Sequence, residues 1–95
     1  MQSPDPGKPA ITYPCRWSYK LIGHAEAEIR LAVDRSASAQ FGDSLESREP
    51  RMEQSRTSSG GRFLSFNLTL RVDDEQERLG LFNALGEAPE ILIVI

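Results

Sequence analysis

The sequence predicts an α+β sandwich of βαββαβ order, in which one four-stranded antiparallel sheet carries two helices on one face. Three observations predict it. The hydrophobic period alternates between two residues and 3.6 residues in that order along the chain. Turn and cap residues stand where the period changes. At 95 residues the chain suits one domain with one modest core.

Residues 1–12 contain prolines and glycine and read as a flexible N-terminal tail, followed by a single domain over 13–95. Residues 15–23 alternate: Trp17, Tyr19 and Leu21 point one way, Arg16, Ser18 and Lys20 the other, and Gly23 stops the strand. From Ala25 the period lengthens. Ile29, Ala32, Val33 and Ala37 form one stripe, which predicts a helix over about 25–38. Glu26 and Glu28 favour its positive end. Phe41, Leu45 and Met52 fit no period, and Gly42 and Pro50 are breakers. Residues 42–50, or about 41–55 at the widest, are expected to be a mobile loop, and about 51–57 a short, poorly specified strand.

Ser58-Ser59-Gly60-Gly61 reads as a hairpin turn, because its glycines allow positive φ. Arg62 to Val72 is the clearest strand. Leu64, Phe66, Leu68, Leu70 and Val72 share one face; Phe63, Ser65, Asn67, Thr69 and Arg71 share the other. Asp73 and Asp74 are N-cap candidates, and Glu77 stands where a capping box needs it. Leu79, Phe82 and Leu85, flanked by Leu81, predict the buried stripe of a second helix over about 75–85, with Gly86 as its C-cap and Pro89 as a stop. Residues 90–95 read as a last strand, apolar on both faces. This is the ferredoxin-like plan, with expected sheet order 4-1-3-2. The alternative is a variant in which the second strand fails to form.

Composition excludes several function classes. Eleven Lys and Arg against fourteen Asp and Glu leave a net charge of −3, which is not the basic footprint of a nucleic-acid binder. The outward sheet face offers Phe63 as its only aromatic, whereas base stacking needs more than one platform. The longest unbroken apolar run, Ile91 to Ile95, is too short to span a bilayer, and Met1 to Pro9 lack the apolar stretch of a signal peptide. Cys15 is the only cysteine, so no internal disulfide is possible. These features point to a cytoplasmic protein.

No constellation suggests catalysis, a cofactor or a metal. His24 is the only histidine, and with Cys15 it falls short of a structural zinc set. No nucleophile elbow or phosphate loop occurs. The paired acids Asp73/Asp74 and Glu26/Glu28 are explained by helix starts. An enzyme using His24 with an acid has no identifiable partner residue, so the expectation is a non-enzyme.

Pro14, the run Trp17-Ser18-Tyr19-Lys20-Leu21-Ile22-Gly23, the turn Ser58 to Gly61 with Arg62-Phe63-Leu64-Ser65, and Leu81-Phe82-Asn83-Ala84-Leu85 before a closing apolar strand together resemble the YbeD-like family of small bacterial proteins of unknown function. The resemblance covers about residues 11–95. It implies a ferredoxin-like fold similar to ACT regulatory domains, and a place in lipoate regulation. The segment 41–55 is longer and more charged than the family's usual pattern. An ACT-like effector would sit near Gly23 and His24, which makes these two residues the candidate ligand site. Glu26 and Glu28 count against an anionic ligand there.

Two functions are therefore expected as rivals. One is a regulatory, ligand-binding domain for a small metabolite. The other is an adaptor whose mobile loop or edge strand engages a protein partner. The candidate partner edge is Ile91, Leu92, Ile93, Val94 and Ile95, because an uncharged edge strand is a template for another chain. The expected state is a monomer or a weak homodimer.

Overall fold

The computed structural model describes residues 11–57 and 60–95. Its elements are β1 (Cys15–Gly23), α1 (Glu26–Phe41), β2 (Arg51–Thr57), β3 (Leu64–Val72), α2 (Glu75–Glu87) and β4 (Ile93–Val94). The sheet order is β2-β3-β1-β4, antiparallel throughout. The fold class and strand order are those the sequence predicts, and β2 does form.

The core lies between the sheet and the helices. Tyr19 and Leu21 from β1 and Phe66, Leu68, Leu70 and Val72 from β3 are buried against Ile29, Ala32, Val33 and Ala37 of α1 and Leu81 and Leu85 of α2. The strict alternation of β3 places every second side chain in this layer. Trp17, also on that face, is only partly buried, with the Arg78 guanidinium 4.8 Å from its ring centre. Burial pushes the Tyr19 phenol up to about 12, and its hydroxyl donates to the Arg78 carbonyl at 2.7 Å.

Several boundaries differ from the expectation, each for a local reason. Helix α1 runs to Phe41, because Phe41 extends the stripe four residues beyond Ala37 and is buried; Gly42, at φ 57°, ends it. In α2 the buried side chains are Leu81 and Leu85 with Ala88 beyond, not Leu79 and Phe82, which are 43% and 37% exposed. The spacing 81, 85, 88 faces the sheet as well as the expected stripe would, and α2 is rotated onto it. Gly86 is inside the helix; the cap is Ala88, extended as the residue before Pro89. The cap forms as a variant of the box: Asp74 accepts from the Glu77 amide at 2.8 Å, while Glu77 accepts from the amide of Asp73, one residue before the cap, at 2.7 Å.

Residues 42–50, expected as loop, contain two single turns of 3-10 helix, Gly42–Ser44 and Glu46–Arg48. They are tied down by Arg48, only 7% exposed, which donates two bonds to Glu77 at 2.7 and 2.9 Å. Arg48 also pairs with Asp73 at 3.1 Å and lies 4.8 Å from the Phe41 ring centre. At the hairpin, Gly60 and Gly61 have φ of 86° and 68°, as the turn requires; Ser58 and Ser59, and the tail over 1–10, lie outside the described residues. The last strand is shorter than 90–95. Glu90 belongs to a turn closed by Ile91 N–H donating to the Ala88 carbonyl, and Ile91 drops into the core.

Candidate functional site

One face of the sheet carries the helices; the other is open. Its side chains fall into cross-strand rows set by the register. Arg16 stands opposite Arg71, Ser18 opposite Thr69, Lys20 opposite Asn67, and Ile22 between Ser65 and Ile93. Arg51 and Glu53 of β2 continue the second and third rows. The face therefore grades from charged at one end to apolar at the other.

At the charged end two arginines face each other across the strands, an arrangement that like-charge repulsion disfavours. Both are drawn apart by oxygens. Arg16 donates to the carbonyl of Glu49 at 2.9 Å and to that of Thr69 at 3.4 Å. Arg71 donates to Asp73 at 3.0 Å and to the Ser47 carbonyl at 3.2 Å. The strand arginines thus collect the carbonyls of the 3-10 segment, and the Ser18 and Thr69 hydroxyls bond each other at 2.7 Å. A cleft of about 520 Å³ remains between Arg16, Ser18, Glu49, Arg51, Glu53 and Thr69. Its lining carries two cations and two anions, of which Arg16 is bonded within the protein, as are Ser18 and Thr69.

The apolar end is different. Ile22, Phe63, Leu64, Leu92 and Ile93 line a groove of about 330 Å³, with Lys20 and Ser65 as its polar members. Ile93 is 50% exposed and Leu92 47%. Lys20 is the only charged residue of the lining and has no ion pair among the described residues. Ser65 is held by Ser55, whose hydroxyl lies 2.9 Å from its own. An apolar concavity of this size, bearing one cation, fits the general form of a small-molecule site.

The predicted ligand pair lies at the edge of this groove rather than in it. Gly23 is buried, and a Cβ there would stand 2.8 Å from Ile29 Cγ1 and 2.9 Å from the Glu90 carbonyl oxygen. It is therefore closely packed. His24 is exposed and stacks on Phe63 with ring centres 5.3 Å apart. Its Nδ1 lies 3.1 Å from the Arg62 carbonyl; a carbonyl only accepts, so Nδ1 carries the proton. Of the predicted edge residues, Leu92 and Ile93 line the groove, Ile95 is exposed, Val94 turns toward α2 and Ile91 is core. The lining residues missed are Lys20, Ile22, Phe63, Leu64 and Ser65. Ile22 carried a signal: it is an apolar residue on the otherwise polar face of β1.

Among the described residues no group of three or more His, Cys, Asp or Glu stands together as a metal site. Cys15 is a free, partly buried thiol. No helix is long and apolar enough to cross a membrane among those residues.

Fold and face together define a small α+β domain with an open, half-apolar sheet. The chain belongs to the DUF493 family of proteins of unknown function, whose pattern matches residues 8–95, and the YbeD-like resemblance is thereby established. An uncharacterized protein of Helicobacter pylori is 28% identical over 88 residues, 93% of either chain. Another, from Campylobacter jejuni, is 33% identical over 78 residues, covering 82% of this chain and 80% of that one. The solution structure of protein HP0495 from Helicobacter pylori superposes with a TM-score of 0.73 at 24% identity, over 100% of this chain and 96% of that one. A second solution structure of HP0495 gives 0.57 at 26% identity, over 97% and 98%. These structures share the fold, including the antiparallel sheet and paired helices.

Proposed function

We propose that the protein is a non-catalytic, ligand-binding regulatory domain of ACT-like type, whose recognition site is the apolar groove of the open sheet face. The groove itself carries this reading: five apolar residues converge around one lysine whose charge is not spent on a carboxylate within the described residues. Such a lining suits a small apolar molecule with an acidic head, the head on Lys20 and the body against Ile22, Phe63, Leu92 and Ile93. A lipoate or related acyl acid has that form, which is how the resemblance to lipoate regulators enters. The site lies beside the strand-to-helix turn at Gly23 and His24 rather than in it.

Titration of labelled protein with lipoate, octanoate and amino acids tests the reading. Amide shifts at Lys20, Ile22, Phe63, Leu92 and Ile93 that saturate with an acyl acid, and that weaken at least tenfold in Lys20→Glu, support it. A flat response to every ligand rejects it. The adaptor reading is favoured by a separate observation: exposed apolar side chains continue from the groove to Ile95, 67% exposed, at the sheet edge.

A further inference from the structure

We propose that the β4 edge pairs with the β4 edge of a second copy of this chain, joining two four-stranded sheets across a two-fold axis. The backbone supplies the first argument. Lys20 and Ile95 exchange both backbone hydrogen bonds, at 3.0 and 2.9 Å. In an antiparallel ladder the next residue points its polar groups the other way, so the N–H and C=O of Val94 face out of the sheet edge. The two edges also differ in their guards. At the β2 edge stand Arg51 and Glu53, and a bulge lies between Gln54 and Arg56. The β4 edge has no charged residue from Ile91 through Ile95. Charges and bulges are what keep natural edges from pairing.

The second argument comes from the helix above. Helix α2 meets α1 on one flank: Gly80 lies against the Gln40 side chain, and the Ala84 carbonyl accepts from Ser36. At about 100° per residue, Leu79, Phe82 and Gly86 fall on the opposite flank. A Cβ on Gly86 would touch Val94 at 3.5 Å, which places that flank over the β4 side. The exposed Leu79 and Phe82 therefore stand on the same side as Leu92, Ile93 and Ile95. Of the seven large hydrophobics exposed among the described residues, only Leu31 and Phe63 lie elsewhere, Phe63 in the groove of the open face.

A second copy fits this band better than a foreign chain. Antiparallel pairing about Val94 sets Ile93 of one copy against Ile95 of the other on the open face, apolar on apolar in both directions. The two Lys20 side chains are then three strand spacings apart, roughly 14 Å, beyond the range of strong repulsion at physiological salt. The joined sheets leave the open face uncovered, so the pairing does not depend on the ligand reading. A ladder this short makes the dimer weak.

Sedimentation equilibrium of the full chain from about 10 µM to about 1 mM tests the proposal. The mass is expected to rise from one chain toward two. Val94→Pro removes the outward N–H, at a place where an edge strand accepts proline, and trims a partly buried side chain. Ile95→Lys puts charges across the axis. Each is expected to hold the mass at one chain at about 1 mM, where an unbound domain would stay. Amide spectra report whether each variant keeps the fold; if Val94→Pro does not, Ile95→Lys decides. A wild-type chain monomeric at the highest concentration, or a dimer that persists in the folded variants, overturns the proposal.

Discussion

The two ends of the open sheet face are built from the same strands, yet one is laced by internal hydrogen bonds and the other is apolar. At the charged end, Arg16 and Arg71 are bound by Glu49, Thr69, Ser47 and Asp73. At the apolar end, Ile22, Leu92 and Ile93 lean on one another around a concavity. The larger cleft is at the charged end, and size alone would choose it. The chemistry chooses the other. A guanidinium already bonded to carbonyls must give those bonds up to take a ligand, whereas an exposed apolar wall gains by being covered. Arg16, Ser18, Thr69 and Arg71 spend their polar groups within the protein, and the apolar end is where recognition is proposed.

This difference makes the two ends respond differently to substitution. The largest effect is expected from Arg48→Ala, which leaves Glu77 without its two-bond partner and uncovers Phe41. We expect a loss of about 3 kcal/mol, at the low end for a broken buried pair because Asp73 and Glu77 are partly solvated. Urea denaturation measures it, and a loss below about 0.5 kcal/mol would make the 3-10 segment an ornament rather than a clamp.

Gly23→Ala comes next. Its Cβ would press on Ile29 and on the Glu90 carbonyl, and only the side chain can yield. About 2 kcal/mol of destabilisation is expected, the usual cost of overpacking. A variant of unchanged stability that loses ligand response would return Gly23 to the binding site.

A smaller, pH-dependent effect belongs to Glu90, held by two bonds from Arg35 at 2.7 and 2.9 Å. The Arg35 hydrogen bonds keep its carboxyl down at about 2. The folded value is below the unfolded one, so the contribution is present above the ordinary carboxylate range and is lost as pH falls through about 2. Denaturation midpoints between pH 6 and pH 2 are expected to fall less steeply in Arg35→Ala than in the parent. Identical slopes would remove the pair from the acid response.

The smallest stability effect is expected at the apolar end. Ile93→Ser should change stability by less than about 0.5 kcal/mol, since the side chain is half exposed, while weakening whatever the groove binds. A large loss of stability there would mean that Ile93 is core, and the contrast between the ends would fail.

Most of the architecture was legible because alternation in β1 and β3 is strong and each strand face has one fate. Helix α2 was harder. Leu79, Leu81, Phe82 and Leu85 supply two overlapping stripes, and only packing on the sheet chooses Leu81 and Leu85. The 3-10 segment was unreadable for a different reason. Its anchor is an arginine buried by partners 25 and 29 residues away, Asp73 and Glu77, and no local period marks such a residue. The groove was half legible. The uncharged edge from Ile91 to Ile95 was visible, but its union with Ile22 and Phe63 depends on register, which joins Ile22 to Ile93 across strands distant in sequence.

The most direct test of the contrast is an amide-shift screen of the full chain with a panel of small acids, half with apolar bodies and half strongly polar. The account predicts shifts confined to Lys20, Ile22, Phe63, Leu92 and Ile93, produced by the apolar members. Shifts centred on Arg16, Ser18, Arg51 and Thr69, with the apolar end silent, would contradict it.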